Sequence, residues 1–118
     1  SIAANLSCAP VLLGNVALFK PAYSSVYSGH FLMNLFKEAG LPDGVINFLP
    51  GSGSEIGNIV LNHKDLAGIH FTGSTNVFQS MWTTVGKNIK NYKSYPRIVG
   101  ETGGKDFIIA HKSAKIDE

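Results

Sequence analysis

Four short stretches of the sequence carry groups capable of chemistry, and each follows an apolar run. In Gly68-Ile69-His70-Phe71-Thr72-Gly73-Ser74, the residues from Ala67 to Phe71 read as a short buried strand. Gly73 is expected to supply a tight bend and Ser74 to cap the helix that follows. Such a turn aims free backbone N–H groups and the positive end of a helix dipole at one spot, where a phosphate would be at home. The alternative is a strand-to-helix turn that binds nothing. Gly51-Ser52-Gly53-Ser54-Glu55-Ile56-Gly57 also follows a strand and opens a helix, but its third glycine falls one place late for a dinucleotide fingerprint. It reads either as an ordinary turn or as one lying against a cofactor whose pyrophosphate is held elsewhere. Lys20, leaving a strand end before Pro21, offers a long cationic donor to a ribose or phosphate, or else is a surface lysine. Glu101 stands between apolar Ile98-Val99 and Gly103-Gly104 and is expected to be semi-buried. Partial burial raises a carboxylic acid's pKa and prepares it for general-base work; a structural glutamate bonded to loop amides is the other reading.

Other chemistries find no support. The four histidines, at 30, 63, 70 and 111, show no pairing at metal-ligand spacing, so no metal site is expected. Cys8 is the single cysteine, which rules out an intrachain disulfide, and its apolar neighbours give it the look of a small buried hydrophobe. Ser24, Ser25 and Ser52 lack a nucleophile-elbow pattern. A net charge of only +2, with scattered lysines, does not suggest nucleic-acid binding; Lys87, Lys90 and Lys93 read as a solvated helix face. No apolar run approaches the length of a membrane span. At 118 residues, with 44% hydrophobic and 15% charged, the chain is expected to fold as one unit without internal boundary. Neither terminus carries a signal peptide or closing element, and the chain is expected to be a piece of a longer protein.

The elements that must position these groups alternate. Ile2 to Leu13 has a helical apolar face, with Pro10 expected to kink or divide it. Val16 to Phe19 reads as a strand, and Ser25 to Ala39 as a helix whose inner face holds Leu32, Leu35, Phe36 and Ala39, stopped by Gly40 and Pro42. Val45 to Leu49 is a strand followed by a helix with Ile56, Ile59, Val60 and His63. The strand at Ala67 precedes a long helix with Phe78, Met81, Trp82, Val85, Ile89 and Tyr92 at helical spacing. Arg97–Val99 and Phe107–Ala110 read as two further strands. Strands apolar on both faces, alternating with helices, predict an α/β fold: an open, mostly parallel Rossmann-like sheet with helices on both faces. Ligands of such sheets bind beyond the carboxyl ends of the strands, so Lys20, Gly51–Gly53, Thr72–Ser74 and Glu101 are expected to share one rim.

In sequence the chain resembles the aldehyde dehydrogenase superfamily over essentially its whole length. The markers are Gly14-Asn15-Val16 through Lys20-Pro21, Glu38-Ala39-Gly40-Leu41-Pro42-Asp43-Gly44-Val45, Phe71-Thr72-Gly73-Ser74 and Glu101-Thr102-Gly103-Gly104-Lys105, in the family's order and spacing. Most members have leucine after the glutamate and proline two places after the lysine. Thr102 and Phe107 here, with Tyr95-Pro96-Arg97-Ile98-Val99-Gly100-Glu101, look like the proline-catabolic branch, which oxidises glutamate semialdehyde to glutamate with NAD.

That resemblance implies a partial NAD-binding domain over residues 1–118 and a role for each matched position. Lys20 would bind the adenosine ribose, and Gly53 and Gly57 would flank the adenine side. Ser74, with the Gly73 turn, would hold the pyrophosphate, while Val77 packs beside the adenine and Phe71 is counted among the cofactor-binding positions. Gly103 would let the backbone lie close to the nicotinamide, and Glu101 would be the general base activating water for thioester hydrolysis. Three places after Lys20, where the family often has a ribose-binding carboxylate, stands Tyr23, which leaves NAD against NADP open. The family's oxyanion-stabilising asparagine belongs just before residue 1 and its nucleophilic cysteine beyond Glu118, so the chain alone is expected to be inactive. The resemblance also implies a small aldehyde substrate, a homo-oligomeric parent, and a cytoplasmic or mitochondrial-matrix location. Another aldehyde dehydrogenase, or a non-catalytic nucleotide-binding domain of the same fold, are the alternatives.

Overall fold

A computed structural model describes residues 2–104 and 108–115. The chain runs through α1 (Ile2–Leu12), β1 (Ala17–Phe19), a 3-10 turn (Tyr23–Ser25), α2 (Val26–Glu38), β2 (Ile46–Phe48), α3 (Gly53–Val60), β3 (Gly68–Gly73), α4 (Thr75–Lys87), a second 3-10 turn (Ile89–Asn91) and β4 (Arg97–Thr102). The architecture is α/β and Rossmann-like, and both strand pairings are parallel. Each pair is a βαβ unit, since a parallel return needs a crossover and a helix supplies it: α2 links β1 to β2, and α4 links β3 to β4.

Helix ends follow from local chemistry. Gly14 and Gly40, at φ +86° and +89°, take the left-handed conformation that closes α1 and α2. The last turn of α2 is satisfied as a Schellman motif, with Gly40 N–H on Lys37 O at 3.0 Å and Leu41 N–H on Phe36 O at 2.9 Å. Pro10 does not divide α1, contrary to expectation. It sits in the last turn, where its carbonyl accepts the Leu13 and Asn15 N–H groups at 3.2 and 3.1 Å, so the helix ends around it rather than at it.

The core gathers Ala17, Phe19 and Ile46 from the β1–β2 pair, with Ala3, Cys8 and Val11 of α1 and Leu32, Met33 and Phe36 of α2 packed against them. Cys8 is thus a packing residue, as its neighbours suggested. Leu35 and Ala39, expected on the inner face of α2, are exposed, and Met33 takes their place. On α4 the inward positions are Phe78, Met81 and Val85 and Trp82 is exposed; Ile89, expected on the same helix, lies exposed in the 3-10 turn after it.

The described strands do not form one sheet. They make two two-stranded sheets, β1-β2 and β3-β4. Each pair also keeps a bare face: Leu18 is 54% exposed, and Val99 57%. α4 covers the side of Phe71 and Gly100, while the side of Val99 stays open. Of the expected fifth strand, Phe107 lies outside the described residues. Ile108 to Ala110 is irregular and exposed, because an apolar run without a neighbouring strand has no ladder to join.

Candidate nucleotide site at the strand ends

The expected rim resolves into two local groupings, one at each strand pair. At the first, β1 ends at Phe19 and Lys20 follows, half-buried, with its ammonium donating to Pro21 O at 2.5 Å. Its stem reaches the start of α3: a Cβ built on Gly53 lies 3.8 Å from Lys20 Cε and 4.0 Å from Nζ. Ser52 caps α3 by accepting the Glu55 N–H, and its hydroxyl meets that of Ser54 at 2.8 Å. Gly57 lies one turn into the helix, where a Cβ would meet Leu61 at an ordinary 3.9 Å. Lys20 and Gly53, far apart in sequence, are thus brought close together, with the Ser52 and Ser54 hydroxyls at the same helix start.

At the second grouping, β3 extends through Thr72 to Gly73, further than expected, and Ser74 caps α4. Its Oγ accepts the Val77 N–H at 3.4 Å, leaving Val77 exposed on the first turn. Gly73 is not a tight bend: it is the last strand residue and has no positive φ. Glycine is needed for space, since a Cβ there would lie 2.6 Å from the Phe71 ring. That ring is stacked on Phe78, with centroids 5.8 Å apart and planes at 2°, so Phe71 faces α4 and holds its start in place. Glu101 lies in β4 directly opposite Thr72 in the parallel register. It is exposed, not semi-buried, because strand alternation turns it to the open side shared by Val99 and Arg97. Beyond it Gly103 adopts φ +66°, with Thr75 Oγ1 3.8 Å from its built Cβ.

Sequence reasoning missed the groups that lock this second unit. The Phe78 ring occupies the space above Gly100, where a Cβ would lie 2.4 Å from it, and Trp82 meets Phe78 edge-on. A glycine inside a strand is the available signal for such a close approach. Tyr92 OH donates to Leu61 O, and Asp65 bridges Lys64 and Lys93 at the opposite end of the strands. The described residues contain no cluster of three metal-ligating side chains. An open hollow beside Met33, Lys37, Leu41 and Asp43 lies at the start of β2, away from Lys20, and includes none of the expected site residues.

Each grouping holds donors suited to an anionic group: an ammonium and a capped helix start at the first, and a second capped helix start with exposed Val77 at the other. Comparison with known proteins agrees with that chemistry. The aldehyde dehydrogenase family model matches residues 1–118. The chain is 51% identical over 118 residues to a probable delta-1-pyrroline-5-carboxylate dehydrogenase of Schizosaccharomyces pombe, covering 98% of this chain and 22% of that protein. To the mitochondrial delta-1-pyrroline-5-carboxylate dehydrogenase of Dictyostelium discoideum it is 50% identical over 119 residues, covering 99% and 21%. Among solved structures it is similar to the delta-pyrroline-5-carboxylate dehydrogenase of Mycobacterium tuberculosis bound with NAD, at a TM-score of 0.85 and 50% identity, covering 96% of this chain and 21% of that one. The chain therefore spans about a fifth of the length of the relatives it matches.

Proposed function

The chain belongs to the aldehyde dehydrogenase family, and from that membership we propose that it forms part of the NAD-binding domain of a delta-1-pyrroline-5-carboxylate dehydrogenase, which oxidises glutamate semialdehyde to glutamate. The observation that carries the reading is the pairing of β3 with β4. It sets a capped helix start, Ser74, and a carboxylate, Glu101, at the same end of adjacent parallel strands. This is the place where open α/β sheets bind their ligands.

In this reading Lys20 holds the adenosine ribose, and Gly53 and Gly57 border the adenine side. Ser74 and the first N–H groups of α4 receive the pyrophosphate, with Gly73 and Phe71 fixing that helix start and Val77 lying against the adenine. The left-handed turn at Gly103 lets the chain pass close to the nicotinamide. When bound, a nicotinamide dinucleotide supplies the hydride acceptor. Glu101 serves as the general base that takes a proton from water in the hydrolytic half of the reaction, and its exposure leaves it open to that water.

Cys8 is packed into the α1 face of the core and is not the nucleophile, so the 118-residue chain is expected to give no turnover of glutamate semialdehyde. The mitochondrial relative supports a mitochondrial location over the cytoplasm. No helix among the described residues is long and apolar enough to cross a membrane. A homo-oligomeric parent belongs to the same proposal.

Calorimetric titration of the chain with NAD tests the reading. Binding that is lost in a Lys20→Ala, Ser74→Ala variant of unchanged circular dichroism is expected. A folded chain that takes up no NAD, or a variant that binds it undiminished, would overturn the assignment of these residues.

A further inference from the structure

We infer that Phe78 is a positioning residue for the reaction, a single ring that fixes the start of α4 relative to Glu101; the inference rests on the function proposed above. Phe78 ends the first turn of α4, where its N–H donates to Ser74 O at 3.1 Å. Its backbone therefore closes the turn whose earlier N–H groups that reading gives to the pyrophosphate. Its side chain is half-buried against the strand pair. The ring fills the space over Gly100, where a Cβ would lie 2.4 Å from it, and stacks on Phe71 with centroids 5.8 Å apart. Phe71 and Gly100 are partners in the parallel register, and the next pair along is Thr72 with Glu101.

The row continues on both sides. Phe71 is seated on Gly73, the residue before the Ser74 cap, and Trp82 meets Phe78 edge-on from one turn further along α4. Gly73, Phe71, Phe78 and Gly100 thus form a packed path from the capped helix start to the residue before the carboxylate. Ladder hydrogen bonds set the spacing of β3 and β4, but they do not set how high a helix rides over the sheet. Side-chain volume at the contact does that, and here the volume is the Phe78 ring with a glycine beneath it. Because packed interiors transmit strain, a smaller side chain lets α4 shift and moves the pyrophosphate end of the site relative to Glu101. Strand alternation turns Glu101 to the face opposite Gly100, so the ring acts on the carboxylate through the backbone rather than by touching it.

Steady-state kinetics of the full-length dehydrogenase, with NAD and glutamate semialdehyde, provide the test. Phe78→Leu is expected to lower kcat by about tenfold to a hundredfold and to raise KM for NAD, at a temperature where circular dichroism shows the variant folded. Phe78→Leu, Gly100→Ala, which returns volume to the same space from β4, is expected to recover part of that loss. Phe78→Met takes the same measurement should the leucine variant not fold. A folded variant with kcat and KM unchanged and only its urea midpoint lowered has a packing role alone; it overturns the inference and leaves the proposed function standing. So does a double variant no more active than the single one. An unmodified full-length protein that shows no NAD-dependent oxidation overturns the proposed function and the inference with it.

Discussion

Gly100 shows how one missing side chain sets the geometry of the second strand unit. Three atoms of the Phe78 ring lie within 2.9 Å of the place a Cβ would take, the nearest at 2.4 Å. The ring has little freedom to withdraw, being stacked on Phe71 and met edge-on by Trp82. Phe71 is in turn seated on Gly73. Gly100→Ala therefore has to push the aromatic row and with it α4, an overpacking that costs roughly 1–3 kcal/mol. A urea midpoint lowered accordingly, with no change in m, is the expected result; an unchanged midpoint would show that the ring moves freely. Glu101 is the next residue along β4, so the same substitution bears on where the carboxylate stands. The sequence displayed the carboxylate and its glycines but not its exposure. Burial depends on what covers the far face of β4, and that is a property of the assembled molecule.

Between elements, the two strand units differ in how their ends are tied. The turn leading into β3 is joined to the segment leading into β4 by Asp65, which contacts Lys93 at 2.6 Å and Lys64 at 3.1 Å, with His63 at 3.9 Å. The backbone follows suit: Lys93 N–H donates to Lys64 O at 2.9 Å. Hydrogen bonds from Lys93 first, and then Lys64, hold the Asp65 carboxyl below its ordinary value of 3.8. A group whose folded pKa is depressed stabilises the fold fully above its unfolded value and loses that contribution as pH falls through the folded one. Asp65→Asn is therefore expected to lower stability at neutral pH and to flatten the acid limb below about pH 4, read by urea melts across pH. The effect should shrink at high salt, since the pair is fully exposed. An acid limb identical in the variant would exclude this role. Such ties were not legible in the sequence, because Asp65 and Lys93 are brought together by the parallel β3–β4 register rather than by local spacing. What was legible is the local chemistry: the glycines ending α1 and α2, and the serine cap that begins α4. The inner face of α2 was misread at Leu35 and Ala39, since a helix with apolar residues on several sides does not show which side will be covered.

At the scale of the molecule, surface outweighs core. A compact monomer of this mass has about 6,200 Å² of accessible surface and a radius of gyration near 13 Å. The chain has 9122 Å² and 17.0 Å. The difference, about 2,900 Å² on this one chain, exceeds the half-share that one partner contributes to most large obligate interfaces, and part of it is strongly apolar. Leu12 and Leu13 are each 84% exposed, and Val16 and Leu18 continue that surface along the edge of β1. Among the described residues the buried hydrophobics are Ala17, Phe19, Ile46 and Val85, a small core that leaves the sheets short of partners. A continuous sheet is what the described strands lack at this level. Strand order and pairing depend on segments that complete a sheet, and the described strands pair only two by two. Exposed apolar faces and unpaired parallel edges together favour association. In light scattering after size exclusion, the isolated chain is expected to show a mass above its 12.6 kDa monomer that rises with loading concentration. A constant 12.6 kDa across that range would mean that the strand edges and the Leu12–Leu18 surface are covered within the chain in solution. Such association reports on the exposed sheet faces rather than on the assembly of a parent enzyme. The nucleotide titrations therefore belong at the lowest concentration that calorimetry allows, where the Lys20 and Ser74 groupings compete least with chain-to-chain contacts.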